Sequence, residues 1–276
     1  MVRKQCRHQQ TQTSADKITT ETSAETMIMP IEQTSNPDIP KMQGVHLYHA
    51  SMSSCSQRVR FALVEKAVAW ESHLIDLNLM ENVSDWYQRI HPRGYVPALV
   101  HDGTLVTEST DIIAYIDQTF PGDALEPVGE SERSTMQKWV DYAGDNQWCL
   151  KTLTYHLIFR AQGHFSKKKD VEYYLSHQKN PQLVQFMKDF VAGFSSERLD
   201  DNMCQAYDFL ADVNDALSGS EYLAGEVFSL ADIASIVNVH RYRMCRLDLG
   251  QFPALLRWYA LVESRPGFKK AIVDWL

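Results

Sequence analysis

The chain predicts a mixed α/β unit followed by an all-helical half. Three observations carry this reading. Strand patterns are confined to residues before 109. An Asp-Gly pair, Asp102-Gly103, joins two of them as a hairpin turn. From Ser131 onward only helical periodicity recurs.

The first 43 residues stand apart. They are rich in Thr, Ser and Gln, show no apolar periodicity, and hold five basic and five acidic residues. Their composition cannot offset the entropy of ordering, so they predict a disordered extension over 1–43. The first 20 residues fit a transit peptide only loosely, since they lack an amphipathic apolar face. Order is expected from VHLYHA (45–50), a strand. A helix over 56–67 follows, with Val59, Leu63 and Ala67 as its buried stripe and Arg60 and Lys66 outside it. WESHLIDL (70–77) reads as a second strand. SDWYQRI (84–90) gives one or two helical turns capped by Ser84. YVPALV and TLVTE flank the hairpin turn, and Ile112, Ile113, Ile116 and Phe120 mark a helix over 109–120. The first unit thus spans 44–120 in the order β-α-β-α-β-β-α. A Pro- and Gly-rich linker covers 121–130, and a helical domain covers 131–276. Its clearest stripe is Tyr207, Leu210, Ala211, Asn214 and Leu217, interrupted by one asparagine.

Composition bounds the function. A 276-residue chain with 44% apolar residues can bury a sizeable core. No run approaches the roughly 20 apolar residues of a membrane span. A net charge of −8 argues against nucleic acid as a partner. The cysteines at 6, 55, 149, 204 and 245 form neither a disulfide framework nor a metal motif, so free thiols in a reducing compartment and no metal site are expected.

SMSSCSQRVRFAL (51–63) carries the first chemical signal. A strand, a short loop and a helix start bring small polar side chains to backbone N–H donors, and the helix N-terminus favours an anion. A thiolate is such an anion, and a hydroxyl donor beside it lowers the thiol pKa. Ser53 or Ser54 can donate to the sulfur of a bound thiol; Cys55 can be a nucleophile in its own right. A plain N-cap serine and a packed cysteine are the structural alternative. Two further features converge. An X-Pro bond at Val96-Pro97 can be cis and leave Val96 to pair with an extended ligand backbone. Glu108-Ser109 opens a helix, with Ser109 as its cap. The pair suits a ligand bearing both an ammonium and a carboxylate. Together the three describe a pocket for a small thiol peptide.

The order of elements, SMSSCS, VPALVHDG and the TES helix start resemble the cytosolic glutathione transferases over residues 44 to 276. SSCSQRVR is similar to the run of the zeta class, which isomerises maleylacetoacetate. MSSCS is also similar to the loop of tetrachlorohydroquinone dehalogenases, and WYQRIHPRGYVPALVHDGTLVTEST to glutathione-dependent β-etherases. The resemblance implies a thioredoxin-like domain followed by a helical bundle, with glutathione as co-substrate. By it, Ser53 activates the glutathione sulfur and Cys55 takes part in thiol exchange. Ser54 joins the glutathione site, Val96 and cis Pro97 pair with the cysteinyl backbone, and Glu108 and Ser109 bind the γ-glutamyl group. Glu108 replaces the glutamine of the zeta class, and PRG before Tyr95 also departs from it. FSLADIA (228–234) resembles the family's capping motif, with Ser229 and Asp232 as a capping box. A cytoplasmic homodimer is implied as well.

For the electrophile, Trp148, Tyr155 and His156 fall where the helical half would face the thiol. Conjugation, ether or halide displacement, and isomerisation of a small electrophile all stay open. A non-catalytic interaction or thiol-sensing module on the same fold is the reading from another class. The full set of Ser53, Pro97, Glu108 and Ser109 argues against it, because a scaffold has no physical need of all four.

Overall fold

A computed structural model describes residues 34–276. The targeting reading of the first 20 residues lies outside them, as does the disorder expected up to residue 33. The end of that expected extension is ordered: Ile39–Lys41 forms a 3₁₀ turn, and Ile39 is buried in one cluster with Tyr48, Ile90 and Leu105. A single isoleucine covering the sheet leaves no periodicity to read, so the sequence pattern begins only at 44.

The first unit holds β1 (Val45–His49), α1 (Ser54–Glu65), β2 (Glu71–Leu74), α2 (Asp85–Gln88), β3 (Ala98–His101), β4 (Thr104–Val106) and α3 (Ser109–Thr119). The sheet order is β2-β1-β3-β4, with β1 parallel to β2 and the other pairs antiparallel. Asp102 (φ 47°) and Gly103 (φ 79°) both take the left-handed conformation of a tight hairpin turn. Gly103 is required twice over, since a Cβ there would meet the Pro40 carbonyl oxygen at 2.7 Å. Ser84 caps α2 by accepting from the Tyr87 N–H.

Helix α1 departs from its expected form. It starts two residues early because Ser53 is its cap, and it ends before Ala67, which lies beyond it at φ 53°. It is also not one-sided. Val59 and Leu63 are buried as expected, but Gln57, Arg58 and Arg60 are fully buried too. The helix is enclosed by the sheet on one side and the helical half on the other.

That half comprises α4 (Glu130–Asp145), α5 (Gln147–Thr154), α6 (Lys168–His177), α7 (Pro181–Ala192), α8 (Ser196–Ala216), α9 (Leu230–Met244), α10 (Pro253–Glu263) and α11 (Pro266–Ala271). A π-turn, Tyr155–Phe159, continues α5. One apolar core runs through both halves, joining Leu47, Leu63 and Ile113 to Val140, Phe209, Ile233 and Trp258. The asparagine that interrupts the α8 stripe has a purpose: the Asn214 side-chain oxygen accepts from the Ala254 N–H at 3.0 Å and the Leu255 N–H at 3.4 Å, at the start of α10. The linker is strapped down by a buried pair. Lys66 Nζ meets Asp117 at 2.9 Å and donates to the Asp123 carbonyl, while the Asp117 carboxylate accepts from the Leu125 and Glu126 N–H groups.

Among the described residues, no helix is long and apolar enough to cross a membrane. Cys55, Cys149 and Cys245 are free thiols. Cys204 is disulfide-bonded, which departs from the expectation of free thiols throughout.

Candidate active site

The loop after β1 is held by two arginines that reach it from behind. Arg60 donates to the carbonyls of Ala50 (3.1 Å) and Ser51 (3.0 Å), and Arg241 of α9 donates to that of Met52. This fixes the approach to Ser53. Its Oγ accepts from the Ser56 N–H at 3.2 Å, so it caps α1 as the structural alternative requires. Its hydroxyl hydrogen, however, has no acceptor among the described residues. The next two side chains are engaged: Ser54 Oγ and Cys55 Sγ both donate to the same oxygen, Oε1 of Gln147, at 3.2 and 3.4 Å. The cap and the candidate sulfur donor are therefore one residue, and the first-turn N–H groups beside it are open to an anion.

Gln147 is itself fixed. Its Nε2 donates to Asn238 Oδ1 (2.8 Å) and to the Ala143 carbonyl (3.2 Å). Arg58 completes the network, donating to Ala143 and Ala234 carbonyls and, through Nη1, to Ser109 Oγ at 2.9 Å. Burial lowers the pKa of Arg58, and among the described residues no carboxylate pairs with it. The network thus connects Cys55 at one end of the site to Ser109 at the other.

This corrects the expected cap of α3. Ser109 is the first helical residue and serves Arg58; Glu108 takes the capping position without a side-chain bond. Glu108 has φ 60° and ψ 117°, a conformation that costs a non-glycine residue about 1–3 kcal/mol and that accompanies functional sites. Its carboxylate meets Arg93 at 2.7 Å, both groups being half-exposed. Val96-Pro97 is cis. The strand ladder stops at Ala98, so Val96 stands outside it.

Facing this loop, α5 presents Gln147, Lys151 and Tyr155 at successive i, i+4 positions on one face. The Lys151 ammonium lies 4.7 Å from the Phe186 ring centre, 5.2 Å from that of Trp148 and 5.8 Å from that of Tyr155. Trp148 is 41% exposed, whereas Tyr155 packs edge-on against Phe186 and Phe190. Trp148 and Tyr155 are thus brought together as walls. His156 interacts with Arg160 and joins no part of this cage. Gln147, Lys151 and Arg241 were not foreseen from the sequence, and the only available signal was the spacing from Gln147 to Tyr155.

One grouping lies apart from the cleft. His46, Glu71 and His73 bring metal-capable atoms within 4.8 Å of one another on β1 and β2. His46 donates from Nε2 to the Gln43 carbonyl, and its Nδ1 pairs with His73 Nε2 at 3.0 Å, so these histidines satisfy each other.

Comparisons with known proteins give the family. Residues 47–124 match the glutathione S-transferase N-terminal domain, and residues 186–266 match the glutathione S-transferase C-terminal domain. The protein LigF of Sphingobium sp. is 30% identical over 236 residues, 81% of this chain and 91% of that one. The crystal structure of the β-etherase LigF from Sphingobium sp. strain SYK-6 superposes with a TM-score of 0.77 at 27% identity, covering 83% of this chain and 98% of that one. A probable maleylacetoacetate isomerase of Drosophila melanogaster is 27% identical over 82% of this chain and 86% of its own length. With both family domains matched and a 30% identical relative aligned over most of its length, the chain belongs to the glutathione S-transferases and performs glutathione-dependent chemistry.

Proposed function

We propose that the chain cleaves β-aryl ethers: the glutathione thiolate attacks a carbon bearing an aryloxy group, a C–S bond forms, and the C–O bond breaks. One observation carries the assignment of the donor. Of the three polar side chains at 53–55, Ser53 alone keeps its hydrogen, because Gln147 takes those of Ser54 and Cys55. Ser53 donates to the sulfur and, with the start of α1, favours the thiolate. Val96 pairs with the cysteinyl backbone. Glu108 and the start of α3 read the γ-glutamyl ammonium and carboxylate. The similarity to the β-etherase LigF supports the choice of reaction.

Because Ser53 also caps α1, two variants are needed. Ser53→Ala removes both roles and costs about 1 kcal/mol of stability. Ser53→Gly costs only a few tenths as a cap. Both are expected to lose about 100-fold in kcat on a model β-aryl ether, the scale of removing one donor from a developing anion. Glutathione affinity should change less than about threefold. Retained turnover in Ser53→Gly would refute the assignment.

A second reading, thiol exchange by Cys55 as in a dehalogenase or isomerase, is supported by the free, half-buried thiol in the first turn of α1 and by the similarity to a probable maleylacetoacetate isomerase. Under the etherase reading Cys55→Ala keeps its turnover; abolished turnover would transfer the chemistry to Cys55. Family membership also supports a cytoplasmic homodimer, and sedimentation at the mass of one chain would refute the dimer.

A further inference from the structure

We infer that Lys151 is the acid for the departing group, donating its proton to the aryloxide oxygen as the ether bond breaks. This rests on the etherase reading above. Four observations support it. Lys151 lies one helical turn after Gln147, whose side-chain oxygen touches Cys55, so its ammonium is on the face of α5 turned to the thiol site. It is close enough to Cys55 to interact with its sulfur electrostatically. Among the described residues no hydrogen bond or carboxylate engages it, although it is half-buried. The rings of Phe186, Trp148 and Tyr155 hold the ammonium in place without taking its protons.

An ammonium caged by rings costs less to desolvate than a bare one, yet keeps donors for an incoming anion. Burial lowers its pKa to about 8. An alkyl- or alkoxyphenol titrates near 10, as the tyrosine side chain does, so the transfer runs downhill. The step balances. The sulfur lone pair forms the C–S bond, the C–O pair passes to the aryloxide oxygen, and that oxygen takes a proton from Nζ. Thioether, phenol and neutral Lys151 result, and solvent returns the proton to Nζ. The same walls that hold the ammonium, Trp148 above all, offer faces for the departing ring. The ligand class is therefore a phenolic ether whose leaving phenol is weakly acidic, the case in which an acid is most needed.

The test is a series of β-aryl ethers whose phenols titrate from about 7 (nitro-substituted) to about 10 (methoxy-substituted), assayed for kcat with the full chain. Lys151→Met is expected to lose about 100-fold on the least acidic phenol and less than about threefold on the most acidic, a steepened leaving-group dependence. Lys151→Gln should behave alike, and guards against a packing artefact of methionine. The thiolate absorbance of bound glutathione should titrate as in the wild type. A loss of equal size across the series would overturn the role, as would a shifted thiolate titration with an unchanged leaving-group slope. If the wild type cleaves none of the ethers, the etherase reading fails and this role with it. If it cleaves them and the variants lose uniformly, only the role of Lys151 fails.

Discussion

His49, at the end of β1, is fully buried and held from both sides. Arg60 donates to its Nδ1 at 3.0 Å, so Nε2 carries the hydrogen and donates to Ser72 Oγ at 2.7 Å. The ring is therefore neutral. Burial first, and the neighbouring Arg60 second, lower its pKa to about 3. Below its ordinary value near 6.5 the unfolded chain binds a proton that the fold refuses. The stability from neutral His49 is thus complete above about pH 6.5 and declines as pH falls towards 3, by up to the order of 4 kcal/mol. Urea midpoints measured between pH 4 and 7 should fall with acidity, and His49→Gln should flatten that fall. An unchanged slope would show that His49 is not its source. Such a histidine is invisible in the sequence, where VHLYHA shows alternation but not that a guanidinium lies behind the fifth residue.

Among the elements, α9 best shows what the capping motif conceals. Ser229 and Asp232 form the expected capping box. The Asp232 carboxylate also accepts from the Leu223 N–H (3.1 Å) and from Trp258 Nε1 (2.8 Å), tying a loop and α10 to the start of α9. Burial raises its pKa to about 6 against the pull of these donors. Loss of the cap alone costs about 1 kcal/mol, but orphaning buried donors adds about 1–3 kcal/mol each. Asp232→Ala should therefore lower stability by at least about 3 kcal/mol, read as a shifted urea midpoint at constant slope. A loss near 1 kcal/mol would mean that the outer bonds contribute nothing. Local signals such as this box, the Asp-Gly turn and Ser84 were legible because each acts within four residues. The burial of Arg58 and Arg60 was not, since arginine in a helix ordinarily marks its wet side and only a second domain packed over α1 reverses that. Lys151 was missed for the same reason: its place beside the thiol loop follows from the contact of Gln147 with Cys55, 92 residues away along the chain.

At the scale of the molecule, the two halves share one core, and α1 and α9 are both enclosed by it. Buried polar bonds follow the same course, from Gln147 and Asn238 to Arg58 and Ser109. Neither half can unfold without exposing the other, so tryptophan fluorescence and far-ultraviolet dichroism should give coincident urea transitions. Separate transitions would show two cooperative units. The guanidinium of Arg58, which no carboxylate among the described residues pairs, has a kinetic consequence too. Glutathione is an anion at neutral pH, and a molecule of net charge −8 repels it from afar. Close in, the proposed site offers it the start of α1 with Arg58 and Arg241 behind it. Dissolved salt screens the distant field far more than the buried one. Moderate ionic strength therefore quickens capture of the peptide instead of slowing it, the reverse of what a site built from surface lysines would show.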